Sequence, residues 1–395
     1  MADAPAPRVD GVPPFDGVPP FDWGLLEPAA ALGDGAADDR VLEALVAVEQ
    51  ALIGAWADLD GSPTADVPVF RAAAIDRGRL VEGARDAGVP IIALVEQLRE
   101  QAGDAAGLVH RGATSQDIVD TALVLVSRDS LARAGDALAE AADAIAGLAA
   151  RHRSTPVVAR TLSQPAEPST LGASFAGWLD GVQSAREAVV ALAAQGFPVQ
   201  LGGAVGTGAA FVRASGRADA PAVLRAGVAS RLGLADPGRA WHTDRGAVLA
   251  IAGAAARVCA VGGRIGRDLA LGARDGLLRP ASGGGSSAMP HKQNPVDAVI
   301  LSANGVRAPG LLATLHAAAL SSDARPAGEW HAEWQAWRGL LRLAAESAGV
   351  LDHALAELIV DVDAGREGSS TDGVDAEAAA AVVDAALARY RGKTR

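Results

Sequence analysis

Residues 282–297 read SGGGSSAMPHKQNPVD, and the side chains gathered there are of the kinds that hold and move charge. Three glycines precede Ser286 and Ser287, and Met289, Pro290, His291, Lys292, Gln293 and Asn294 follow. Glycine frees the backbone to move, while hydroxyl, ammonium and amide groups supply donors for an anionic ligand. Three other stretches carry related groups. In HRGATSQDIVD, 110–120, Thr114 or Ser115 is a good N-cap for the helix that follows, with Asp117 in its first turn. An exposed helix N-terminus also attracts anions, and His110 stands four residues upstream of Thr114. In ARTLSQPAEPSTLG, 159–172, Thr161 and Gln164 precede two prolines and a Ser169-Thr170 cap, which reads as a loop before a helix. In FPVQLGGAVGTGAAF, 197–211, the glycines resemble a phosphate cradle, but the G-x-x-x-x-G-K-[ST] pattern and a preceding strand are both missing.

Two charged stretches lie beside tryptophans. WHTDR, 241–245, brings His242 and Arg245; DARPAGEWHAEWQAW, 323–337, brings Arg325, Glu329, His331 and Glu333. No H-E-x-x-H or comparable spacing appears, so no metal centre is expected. Serine, threonine, lysine, asparagine, arginine and backbone N–H groups are the donors that grip carboxylates. A mobile serine-bearing loop closing over a small polyanion is the chemistry these residues suggest.

The elements that must position these groups are helices. Half of the 395 residues are apolar and only 4% are aromatic, a composition for close helix packing on Ala, Leu and Val. Val124, Ser127, Leu131, Ala134, Leu138, Ala141, Ile145 and Leu148 alternate spacings of three and four. Ile251, Ala255, Val258, Gly262, Ile265 and Leu269 do the same. Helices of this length suit a bundle that meets partner subunits. Strand signals are weak, and an all-α fold is expected.

The expected division is a tail over 1–22, where GVPPFD is written twice, then a helical domain over 23–109. A central bundle over 110–350 and a short helical region over 351–395 complete it. The formal net charge of −12, without a basic stripe, argues against nucleic acid as a partner. Cys259 is alone, which excludes an internal disulfide and fits a reducing cytoplasm. The N-terminus lacks the apolar core of a signal peptide, and the apolar runs are broken by charge, so no membrane span is expected.

GSSAMPHKQN, 285–294, resembles the G-S-S-x-M-P-x-K-x-N signature of the fumarase/aspartase superfamily. HRGATSQD and RTLSQPAEPSTLG resemble its two other shared regions, and the likeness runs from about residue 24 to 350. Within the superfamily, HRGATSQDIVDTA, FPVQLGGAVGT, WHT and RPAGEWHAEW look most like the bacterial 3-carboxy-cis,cis-muconate cycloisomerases. The resemblance implies a cofactor-free, cytoplasmic homotetramer around a twenty-helix core, each site built from three subunits. It implies a small polycarboxylate substrate. Ser286 matches the loop serine that takes the proton α to a carboxylate, and Lys292 and Asn294 match residues that hold the carboxylate and its developing charge. Thr114, Ser115, Thr161, Gln164, Ser287 and Met289 fall in the shared regions as substrate-binding positions. His110, Arg245 and Arg325 are expected to add positive charge around the substrate, with His242 and His331 as further candidates.

One departure carries chemical information. Many superfamily members have Thr-His-x-Gln where this chain has Thr161-Leu162-Ser163-Gln164, so Leu162 stands in place of a histidine that protonates the leaving group. Ammonia, hydroxide and amines depart poorly without a proton. A carboxylate, with a conjugate-acid pKa of about 4, leaves as the anion. Opening a lactone by β-elimination expels such a carboxylate, so Leu162 favours the cycloisomerase reading. Nitrite is also a good leaving anion, which keeps a nitrosuccinate lyase in view. An adenylosuccinate lyase-like enzyme and a non-catalytic homologue are further alternatives. Gln293 replaces an arginine common in this branch, and the C-terminal region is short.

Overall fold

After a short 3-10 helix at Ala30–Ala36, α-helix begins at Asp38, where Asp38 and Asp39 place acid at the positive end of α1 (Asp38–Asp60), and Gly61 closes it at φ 69°. This is the first α-helix of a computed structural model that describes residues 26, 29–62, 68–279, 284–285, 288–289, 292–356, 358–363 and 376–393. The expected tail over 1–22 lies outside the described residues. Helix α1 buries Leu45, Val46, Leu52, Ile53 and Trp56, and with them one carboxylate, Glu49. Helices α2 (Arg77–Ala87) and α3 (Ile91–Ala102) follow; Asp76 caps α2 by accepting from Arg79 N at 3.1 Å.

Next comes α4 (Ser115–Arg151), whose 37 residues span about 55 Å. Its apolar seam, read from the sequence between Val124 and Leu148, is buried throughout. A hairpin of β1 (Pro156–Thr161) and β2 (Gln164–Thr170) leads into α5 (Leu171–Gln195), which Thr170 caps by accepting from Ala173 N at 3.2 Å. The short α6 (Ala209–Ser215) and α7 (Ala220–Leu232) precede α8 (Gly246–Arg274). Then follow β3 (Leu278–Arg279), α9 (Val296–Ala318), α10 (Glu329–Ala356), β4 (Ile359–Val360) and α11 (Ala376–Lys393).

The five long helices α4, α5, α8, α9 and α10 form a bundle whose directions follow from their contacts. Trp178 Nε1 of α5 donates to Asp268 of α8 at 2.8 Å, while a Cβ on Gly181, further along α5, would lie 3.1 Å from Val261, earlier in α8, so these two helices are antiparallel. A Cβ on Gly263 of α8 would lie 2.8 Å from Gly305 Cα of α9: small residues at the crossing let the two backbones approach. Trp330 and Trp337 of α10 donate to Asp120 and Ser127 of α4, each at 2.9 Å, so α10 runs parallel to α4. Arg245, just ahead of α8, reaches Asp120 as well. The N-termini of α4, α8 and α10 therefore share one end of the bundle.

One expectation needs correction. The stretch 159–172 is an antiparallel hairpin rather than a loop. Leu162 and Ser163 form its two-residue turn at φ 51° and 64°, the positive-φ pair such turns demand. The sequence hid it because neither Asn nor Gly occupies the turn and the strands lack apolar alternation. After residue 358 the described residues hold one helix, the 18-residue α11, which docks through Tyr390 on Asp143 and Arg389 on Asp180. Helices α8 and α9 are long and apolar enough to cross a membrane by length and composition alone, a test that bundle-core helices also pass, and half of the apolar window of α8 is buried inside the bundle.

Candidate active site

Asp117 organises the shared end of the bundle. Its carboxylate is fully buried and accepts from Thr114 N at 3.0 Å, Gly202 N at 2.9 Å and Gly203 N at 2.9 Å, with His242 Nε2 at 2.8 Å. The first of these bonds belongs to the capping box of α4, formed with Thr114. The other three pull in two segments from elsewhere in the chain. The glycines that resemble a phosphate cradle thus wrap a protein carboxylate, and His242 is held by the same group.

Thr114, the N-cap of α4, also meets Arg325. The guanidinium Nη2 donates to Thr114 Oγ1 at 2.6 Å and to Ala204 O at 3.3 Å, while Nε is buried without a partner. Nearby at the start of α10, Trp334 Nε1 and Glu329 Oε2 are likewise buried and unpartnered. Native interiors leave few such atoms, and each of the three keeps unused hydrogen-bonding capacity. Ser115 is half-buried on the first turn of α4. His110 sits four residues before Thr114 at φ 59°, its Nδ1 2.6 Å from Glu49 Oε1. His331 is exposed, its ring 4.6 Å from that of Trp334.

Arg245 is not where the sequence reading put it. It is buried, with Nη1 donating to Asp120 at 2.7 Å and Nη2 to Glu333 at 2.5 Å. Burial opposes its charge, but Asp120 and Glu333 outweigh that and hold its pKa above the ordinary range. A guanidinium already gripped by two carboxylates brings no free positive charge to a substrate. Burial in turn pushes the Glu333 carboxyl up, against the pull of Arg245 and with the repulsion of Asp120. Asp120 has further donors in Trp330 Nε1 and Gln116 Nε2.

Those of the other predicted residues that are described lie at the far end of the bundle. Thr161 and Gln164 pair across the hairpin turn and are exposed, with Leu162 98% exposed between them. A cavity of about 560 Å³ opens beside β1, walled by α5 and α8. The loop between β3 and α9 closes at its base: Gly284 N donates to Asn294 O at 3.1 Å and Asn294 N to Gly284 O at 2.9 Å. A side chain at Gly284 would collide with Val296. Asn294 Nδ2 donates to Gly285 O at 3.4 Å, Lys292 N to Met289 O at 3.0 Å, and the Lys292 and Met289 side chains are exposed. Ser286, Ser287 and His291 lie outside the described residues. Since α8 starts beside Asp120 and meets Ala298, at the start of α9, only at Gly266, roughly 30 Å of helix or more separates this loop from the Thr114 end within one chain.

Comparison with known proteins gives this arrangement a family. A family model described as lyase matches residues 69–310. The 3-carboxy-cis,cis-muconate cycloisomerase of Pseudomonas aeruginosa is 38% identical over 366 residues, 89% of this chain and 78% of that protein. The nitrosuccinate lyase of Streptomyces davaonensis is 37% identical over 358 residues, 86% of this chain and 75% of that one. The crystal structure of 3-carboxy-cis,cis-muconate lactonizing enzyme from Pseudomonas putida superposes with a TM-score of 0.80 at 30% identity, covering 92% of this chain and 86% of that one. The chain belongs to the fumarase/aspartase superfamily.

In this superfamily member, then, the stretch with Thr114 occupies one end of the bundle, and those with Thr161 and Lys292 occupy the other. Sequence reasoning singled out Thr114 and Arg325, which do meet. It passed over Glu49, although a lone glutamate one turn from Leu45, Val46, Leu52 and Ile53 is a visible signal: charge on the apolar face of a helix asks for a partner. It also gave Asp117 only a capping role, since the two glycine N–H groups and His242 arrive from segments whose approach no local pattern reveals.

Proposed function

We propose that this chain is a 3-carboxy-cis,cis-muconate cycloisomerase acting as a homotetramer in the cytoplasm. It interconverts 3-carboxy-cis,cis-muconate and 4-carboxymuconolactone. The observation that carries the reading is Leu162 at the tip of the hairpin, in a chain 38% identical to a cycloisomerase. A hydrocarbon at that tip donates no proton, which suits a reaction whose leaving group departs as an anion. In the lactone-opening direction, Ser286 takes the hydrogen α to a carboxylate, the electron pair forms the new double bond, and the ring C–O bond breaks to free a carboxylate. In the closing direction that carboxylate adds to the double bond and the carbon α to the neighbouring carboxylate is reprotonated. The reaction is redox-neutral and every proton is handled by a side chain, so no cofactor is required.

The intermediate carries charge on a carboxylate that is already anionic, and preorganised donors must meet it. Lys292 and Asn294 fill that role, with Thr114, Ser115, Thr161, Gln164, Ser287 and Met289 around the substrate and Arg325 and His110 at its carboxylates. Thr114 and Asn294 sit roughly 30 Å or more apart in one chain, so a complete site draws on several chains. Helix α9 supports such assembly. Val296, Val299, Ala303, Val306, Gly310 and Ala313 alternate spacings of three and four on its exposed side, with Val306 70% exposed. An uncovered apolar seam of that period suits packing against a copy of itself. Five long helices from each of four chains would make the twenty-helix core.

The nitrosuccinate lyase relative at 37% identity favours a second reading, because nitrite also leaves unaided. One assay separates them: the purified protein is offered carboxymuconate and nitrosuccinate in parallel, with adenylosuccinate and fumarate as controls. Loss of the muconate ultraviolet absorbance is the expected result. Release of nitrite with the muconate chromophore untouched would replace the cycloisomerase by the nitrosuccinate lyase.

A further inference from the structure

Glu49 is a carboxylate with no solvent exposure, set among the apolar side chains of α1. A charged group in such a place persists where a partner holds it. The partner is His110, whose Nδ1 lies 2.6 Å from Oε1; Oε2 is buried and unpartnered. The backbone at this point is fixed from both sides. His110 adopts φ 59°, a region non-glycine residues enter at a cost of about 1–2 kcal/mol. The next residue, Arg111, binds Asp60 at 2.5 Å and Ala214 O at 2.8 Å, stacks 3.8 Å from the Trp56 ring, and accepts at its carbonyl from Trp56 Nε1 at 2.9 Å. The His110 side chain is 16% exposed. With Nδ1 turned toward a carboxylate that has no exposure, the accessible edge of the ring is the one that carries Nε2.

We propose that Glu49 is a positioning residue, which accepts from Nδ1–H of His110 and thereby turns the Nε2 edge of the ring toward a substrate carboxylate beside the N-terminus of α4. The inference rests on the proposed reading of the chain as a polycarboxylate enzyme with His110 in its site. A carboxylate accepts and cannot donate, so the ring nitrogen facing Glu49 is the donor. When a second carboxylate arrives at Nε2, the ring takes up one proton from solvent, and the resulting imidazolium donates from both nitrogens and bridges the two anions. Glu49 touches no reacting atom. Its effect passes through the imidazole, as an outer partner orients a ligating histidine.

Glu49→Gln keeps the shape of the side chain and removes its charge. In the intact assembly turning over carboxymuconate, this variant is expected to raise KM about tenfold while kcat stays within about threefold. In a His110→Gln background the same substitution is expected to change KM no further. A full KM effect of Glu49→Gln without His110, or none with it, would overturn the proposal. The ring itself gives a readout that needs no turnover. In side-chain 15N NMR, the Nδ1 signal assigned by its loss in His110→Gln is expected to move in Glu49→Gln, with the other histidines unchanged. A stationary Nδ1 signal would overturn the pairing. If the wild-type protein leaves carboxymuconate untouched, the substrate reading fails alone, and the NMR comparison still decides the role of Glu49.

Discussion

Arg325 and Thr114 stand 211 residues apart in the chain, and the Arg325 guanidinium donates to the Thr114 hydroxyl at 2.6 Å. The bond ties the approach to α10 to the first turn of α4 and leaves Arg325 Nε buried and unpartnered. A planar guanidinium with a donor to spare beside a helix N-terminus is suited to a carboxylate. Arg325→Gln is therefore expected to lower kcat/KM for carboxymuconate by about 10–100-fold, the range for a lost charge-assisted hydrogen bond. Steady-state kinetics checks it, and an unchanged value would place Arg325 outside the site.

The buried group of Asp120, Arg245 and Glu333 has two carboxylates for one guanidinium. Burial and the Asp120 charge hold the Glu333 carboxyl above its ordinary value of 4.5, despite Arg245. Between that value and the raised one, the folded protein keeps a proton that the unfolded chain has lost. Its stability from this group is complete below the ordinary value and falls as pH rises through the raised one. Glu333→Gln is expected to flatten that fall. Urea denaturation of both proteins between about pH 4 and pH 8 measures it; parallel curves would show Glu333 ionised throughout.

Leu162→His tests the leaving-group argument. The turn is exposed and its backbone already accepts non-glycine residues at positive φ, where histidine is tolerated better than leucine. The fold is therefore expected to survive. Turnover of carboxymuconate is expected to stay within about threefold, because a leaving group with a conjugate-acid pKa near 4 needs no acid. A large gain in kcat would show that the departing oxygen does require a proton.

The exposed seam of α9 predicts the assembly. Val306→Asp places a charge at its middle, where it remains hydrated in a single chain but would be desolvated between copies. Sedimentation is expected to show a tetramer for the wild-type chain and smaller species for the variant, with helical content retained and turnover lost. A variant that remains tetrameric and active would remove this face from the interface.

Much of this protein was legible before folding was considered. The long helices follow from apolar residues spaced by three and four, a pattern that depends only on neighbours within two turns, and both seams are buried as read. Thr114 announced itself by its place ahead of a helix with Asp117 three residues on. Arg325 stood out by its company near Trp330.

Tertiary structure decided what each charge is free to do. Arg245 and Arg325 look alike as residue types, yet Asp120 and Glu333, 125 and 88 residues from Arg245, close around one guanidinium and leave the other with an open donor. The hairpin at Leu162 escaped notice because strand pairing joins residues by register and not by composition. The distance along α8 between Thr114 and Lys292 depends on which ends of the helices lie together. Periodicity is a short-range property of a chain, whereas charge neutralisation and reach depend on partners that packing alone delivers.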